Sequence, residues 1–157
     1  MITPQTIVKT ELAIIKQVFD EEGKLDTTFV VVQDGAHISI PLILMPSTDR
    51  DRVSKTLRDL TAQVMPDFVI YISEAWCAIV SDNKCDLPPS KHPDRVEIVI
   101  VTIEFKTGER FLCTANIKRE NNTARLEEFE IKTDLSLGTT GRFMNFYPKV
   151  SAQTESG

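Results

Sequence analysis

Two long apolar segments, FVIYISEAWCAIV at 68–80 and RVEIVIVTIEF at 95–105, constrain this chain more than any other feature. Isoleucine, valine and aromatic residues fall on successive positions in them, rather than on every second one. Strands of that kind are apolar on both faces, as central strands covered on both sides should be. The loop between them, Ser81–Asp94, is 14 residues long and carries Pro88, Pro89 and Pro93. Loops of that length between packed strands are either functional or disordered, and three prolines reduce the entropy lost when such a loop is ordered.

The remaining elements follow from local signals. Thr3 followed by Pro4 opens a helix with a hydroxyl cap and a residue that needs no amide partner. Val8, Leu12, Ile15 and Phe19 form its stripe, Ile7, Ile14 and Val18 widen it, and Gly23 supplies the C-terminal cap. The acids Asp20, Glu21 and Glu22 stand at the unfavourable end of the helix dipole, which predicts a frayed last turn. Strands at Thr27–Gln33 and His37–Met45 are joined through Asp34-Gly35, and Pro41 sends the second of them to an edge or into a bulge. A second helix runs from about Thr48 to Met65, capped by Ser47 or Thr48, with Val53, Leu57, Leu60 and Val64 as its packing face and Pro66 as its stop.

Beyond the two long strands, Phe111, Cys113, Ala115 and Ile117 alternate with polar residues, the pattern of a strand with one wet face. Leu126–Lys132 forms a last strand whose phase changes between Leu126 and Phe129, the mark of a bulge. Phe143, Phe146 and Tyr147 are expected to dock on the body. The chain therefore reads as a single α+β domain over 1–148, of order α-β-β-α-β-β-β-β. Its sheet is mostly antiparallel, with the two helices packed on one face. Residues 149–157 read as a disordered polar tail.

Composition narrows the function classes. A net charge of −5 argues against a generic nucleic-acid coat. No uninterrupted apolar run approaches the roughly 18 residues a membrane helix needs. The opening MITPQTIVKTELAIIKQVF has lysines and a glutamate inside its apolar stretch, so no export leader is expected. Cys77, Cys85 and Cys113 are odd in number and never spaced C-x-x-C, which points to a reduced, cytoplasmic chain.

Unusual polar residues gather where one long strand ends and the next begins. Glu74 shares a face with Ile70, Ile72 and Trp76, a setting for a general acid or base if the carboxylate is desolvated. The plainer outcomes are a bulge at Ser73–Ala75 that turns it to solvent, or an ion pair with an arginine such as Arg95. His92, Asp94 and Ser90 invite a hydrolase reading, but no nucleophile elbow or glycine-rich oxyanion loop surrounds Ser90. His37, His92 and Cys85 lack ligand spacing, so neither metal nor cofactor is expected.

Glu74-Ala75-Trp76, then Pro89-Ser90-Lys91-His92-Pro93-Asp94-Arg95, then an apolar strand, resembles a family of small uncharacterised phage and bacterial proteins over residues 60–120. The resemblance implies that the two motifs belong together, with one strand's end facing the next strand's start across a hairpin. It also implies a phage source and, with it, a host or defence component as partner.

The leading function is then a non-enzymatic protein-binding or accessory protein. Glu74, Trp76, Pro89, Ser90, His92, Asp94 and Arg95 are its candidate contact residues, and its partner is another protein or a second copy of the chain. One alternative is a small hydrolase or nucleotide-processing enzyme using Glu74, His92 and Asp94. The other is a structural component of a virion or similar assembly.

Overall fold

The computed structural model describes residues 2–42, 50–78, 95–133 and 146–148. Helix α1 (Pro4–Glu22) begins where Thr3 accepts a hydrogen bond from the Thr6 N–H, and it ends on Gly23 in the left-handed conformation. Its last turn is regular rather than frayed, because Asp20 is used twice. The carboxylate receives the Lys16 ammonium at 2.7 Å and accepts the Leu126 N–H at 3.0 Å, tying the helix end to the sheet.

Strands β1 (Thr28–Gln33) and β2 (Ala36–Pro41) form the hairpin expected at Asp34-Gly35. Both turn residues have positive φ, 51° and 82°, which is what a tight hairpin turn of the right twist demands. Helix α2 (Arg50–Val64) follows, then β3 (Phe68–Ala78), β4 (Arg95–Phe105), β5 (Arg110–Glu120), β6 (Thr123–Leu126) and β7 (Glu130–Lys132). The strands lie in the order β2-β1-β3-β4-β5-β6, all paired antiparallel, and β7 continues on β5 beyond β6. The expected bulge is present. Ile117 pairs with Leu126 but Cys113 with Ile131, so the register slips by one residue between β6 and β7 and divides the last strand in two. Pro41 lies, as expected, on the outer strand.

The α+β class and the antiparallel sheet match the sequence reading, but the helices do not share a face. The buried α1 residues Val8, Leu12, Ile15 and Phe19 pack with Val30, Val32, Ile70, Val101 and Cys113. The α2 residues Val53 and Leu57 pack instead with Phe29, Val31, Val69 and Phe146. Neighbouring residues along a strand point to opposite faces, so Val30 and Val31 belong to different cores. The apolarity of both faces of β1 and β3 requires this arrangement, because a single helical layer leaves one apolar face wet.

Two stripes are also narrower than expected. Ile14 and Val18 stay 50% and 37% exposed on α1. On α2 Val64 is exposed, and Ser54 and Thr61 are buried in its place. Thr61 satisfies its hydroxyl by donating to the Leu57 carbonyl at 2.8 Å. Phe146 is buried with its ring 4.8 Å from that of Phe29, and the Tyr147 hydroxyl donates to the Pro66 carbonyl at 2.6 Å. Burial, with Glu104 and Asp67 nearby, pushes the Tyr147 hydroxyl well above its ordinary pKa. Phe143, the helix cap at Ser47 or Thr48, and the strand residues past Leu42 lie outside the described residues.

Candidate functional site

The α1 face of the sheet carries a groove, which arises from where the sheet stops. On the inner strands this face presents Val30, Ile70 and Ile72. On the outer strand β2 the same face presents His37 opposite Val32 and Ser39 opposite Val30. These polar side chains do not fill the space beneath α1, so Ile14 and Val18 are left without a floor. A cavity of about 330 Å³ opens there, lined by Ile14, Ile15, Val18, Leu25, Val30, Ile70 and Ile72 among others.

Each end of the groove is held by a carboxylate. At one end the buried Glu11 Oε2 lies 3.0 Å from His37 Nε2, bridging α1 to the outer strand. The His37 ring also stands edge-on to Phe68, 6.3 Å between centroids. At the other end Glu74 Oε2 accepts the Leu25 N–H at 2.7 Å, fastening the α1–β1 connection to the sheet. Lys24, Asp26 and Glu22 line the rim near that end.

Glu74 thus keeps the alternation expected of it. The β3–β4 register runs unbroken from Phe68↔Phe105 to Ala78↔Arg95, so no bulge turns it outward. Its oxygen holds a main-chain N–H, a partner that neither the catalytic nor the ion-pair reading foresaw. Glu97 is engaged by Arg119 in a two-pronged pair, Nε to Oε1 at 2.8 Å and the second nitrogen to Oε2 at 3.0 Å. The hydrogen bond to Glu97 raises the Arg119 guanidinium above its ordinary pKa.

Across the hairpin Trp76 pairs with Glu97 and Ala78 with Arg95, so the end of one strand does face the start of the next. Only the backbone of Trp76 and Arg95 is described. Pro89, Ser90, His92 and Asp94 lie outside the described residues, as does the whole of the loop that carries them.

The Glu11–His37 pair was the feature that sequence reading missed. Its signal was present, because Glu11 lies on the arc Val8, Glu11, Leu12, Ile15, where an acid inside an apolar helix stripe needs a partner.

The fold and groove define a small α+β protein, an antiparallel sheet clad by a helix on each face. The chain belongs to the family described as Bacteriophage lambda protein ea47, whose model matches residues 4–152. It is therefore a phage-type protein, and the family extends over far more of the chain than the motif-bearing segment. No curated protein and no solved structure matches it. Among the described residues, no helix is long and apolar enough to cross a membrane.

Proposed function

We propose that this chain is a non-enzymatic binding protein of a phage, with the groove between α1 and β2 as its contact surface and a host or defence protein as its partner. The observation that carries this reading is the pairing of an apolar groove with exposed flanking side chains, Ile14 at 50% and Val18 at 37%. An apolar surface left open beside a filled core costs stability in the free protein, and a partner that covers it recovers that cost.

The charge of the rim supports a basic partner segment. Glu22, Asp26 and the His37-paired Glu11 outnumber Lys24, and the whole chain carries −5. An apolar segment flanked by basic residues complements both the floor and the rim. The loop sequence bearing Pro89, Ser90, His92 and Asp94 provides a second contact, together with Trp76 and Arg95 on the strands that flank it.

Affinity capture from infected cells tests the reading. Wild type is expected to retain a partner that Ile14→Glu loses, with the melting temperature of the variant unchanged because residue 14 is half-exposed. Ser90→Ala and His92→Ala are expected to retain it, whereas a glycine-serine connector in place of Asp86–Lys91 loses it. Loss of function from His92→Ala alone, with the fold intact, overturns the non-enzymatic reading.

A further inference from the structure

The two edges of the sheet are built differently. One is guarded, since β6 and β7 carry Arg125, Glu130 and Lys132 and the register slip breaks the edge between them. Charge and bulges of this kind prevent a sheet from adding strands. Among the described residues the other edge is β2, with sequence AHISIP. It has no Asp, Glu, Lys or Arg, and five of its six residues are exposed. Ile38, on the face that carries α2, is 60% exposed.

The hydrogen-bond polarity of β2 can be read from its root. The Leu42 N–H donates to the Thr27 carbonyl at 2.8 Å. In an antiparallel pair, alternate residues bond to the same neighbour. Ile40, Ile38 and Ala36 therefore bond inward to β1, while His37, Ser39 and Pro41 turn their main-chain groups outward. Pro41 has no N–H, so it costs the sheet no inward bond, and His37 and Ser39 are the two outward donors of the strand.

We propose that β2 pairs with β2 of a second copy of this chain, antiparallel about a two-fold axis at Ile38, giving a homodimer with one continuous sheet. In that register His37 stands opposite Ser39 of the second copy, and the two such pairs use both outward donors of each strand. Ile38 meets Ile38 of the second copy as a close, non-hydrogen-bonded pair and covers its exposed side chain. Pro41 falls opposite Gly35 of the second copy, past the last ladder bond, where no donor is needed.

The neighbouring registers fail. One sets Pro41 opposite His37 and loses a donor. The other sets His37 on His37 and leaves Ser39 facing the turn. The pattern around Ile38 is its own complement, and this favours a second copy over a foreign strand. The axis stands perpendicular to the sheet, so both α1–β2 grooves open on the same side. The inference concerns the edge and does not depend on what the groove binds.

Sedimentation velocity on the full chain at micromolar concentrations tests it. Wild type is expected to run with the mass of two chains. Ile38→Lys and Ser39→Pro, the latter removing an outward donor, are each expected to run with the mass of one and to keep the wild-type circular dichroism spectrum. Ile131→Lys on the guarded edge and Ile14→Glu in the groove are expected to remain dimeric. Under mild oxidation Ile38→Cys is expected to form a covalent dimer beyond the wild-type background, and Ile40→Cys is not. A monomeric wild type, a dimer that survives Ser39→Pro, or no excess crosslink at position 38 overturns the proposal.

Discussion

Replacing Glu74 with alanine separates a scaffold carboxylate from a functional one. Its Oε2 accepts the Leu25 N–H at 2.7 Å in a half-buried setting, joining the end of α1 to the middle of β3. A hydrogen bond to a charged acceptor contributes roughly 1.5–3 kcal/mol. The lower half of that range applies, because the freed N–H lies at the mouth of the groove, where water can replace part of the bond. For a chain of this size about 1 kcal/mol moves the midpoint by roughly 2–4 °C, so Glu74→Ala is expected to melt about 3–9 °C below wild type. Glu74→Gln keeps an acceptor oxygen and is expected to lose about half as much. Thermal melting followed by circular dichroism measures both, and hydrogen exchange at the Leu25 amide should accelerate in the alanine variant. If Glu74→Ala melted with wild type and kept slow exchange at Leu25 while partner capture was lost, the scaffold role would be refuted and Glu74 would belong to the contact surface.

Three further outcomes follow from named groups. Arg119→Ala removes an exposed pair with Glu97 and is expected to cost no more than about 1 kcal/mol, with the difference shrinking as salt rises. Burial pushes the Asp20 carboxyl up, but Lys16, the Leu126 N–H and Arg125 outweigh it and hold its pKa below the ordinary 3.8. Its stabilisation is therefore present above 3.8 and lost as pH falls through the lower folded value, so melts of wild type and Asp20→Asn should converge in acid. Cys113 is fully buried and its thiol is pushed up to about 12 by that burial, so a thiol reagent at neutral pH should label it only on unfolding, as peptide mapping would show.

Local chemistry was the legible part of this sequence. Thr3-Pro4 and Gly23 bound α1 because a cap needs only its own turn, and Asp34-Gly35 defines its hairpin because positive φ belongs to those residue types. The alternation of Phe111, Cys113, Ala115 and Ile117 matches their burial position by position. Which side of the sheet each helix covers was harder to read. A stripe such as Val53 and Leu57 records that a helix packs, and it is silent about the face. The answer lay in β1 and β3, whose apolar residues on both faces require two covers. Ile14 and Val18 misled because helical spacing says nothing about how far the sheet extends beneath them. The sheet ends at β2, whose His37 and Ser39 leave the groove open. Glu74 stood out as an acid on an apolar strand face, yet its partner is the Leu25 N–H, 49 residues away in sequence, and no side-chain pattern marks a main-chain donor.

The groove as a contact surface is tested most directly by a photo-crosslinking side chain placed at position 14, inside the groove, and separately at position 128, an exposed site away from it. After irradiation of infected cells, the same host or defence protein should be recovered covalently from position 14 and not from position 128. Recovery from both positions alike, or from neither, would contradict the assignment of the α1–β2 groove as the surface on which this protein acts.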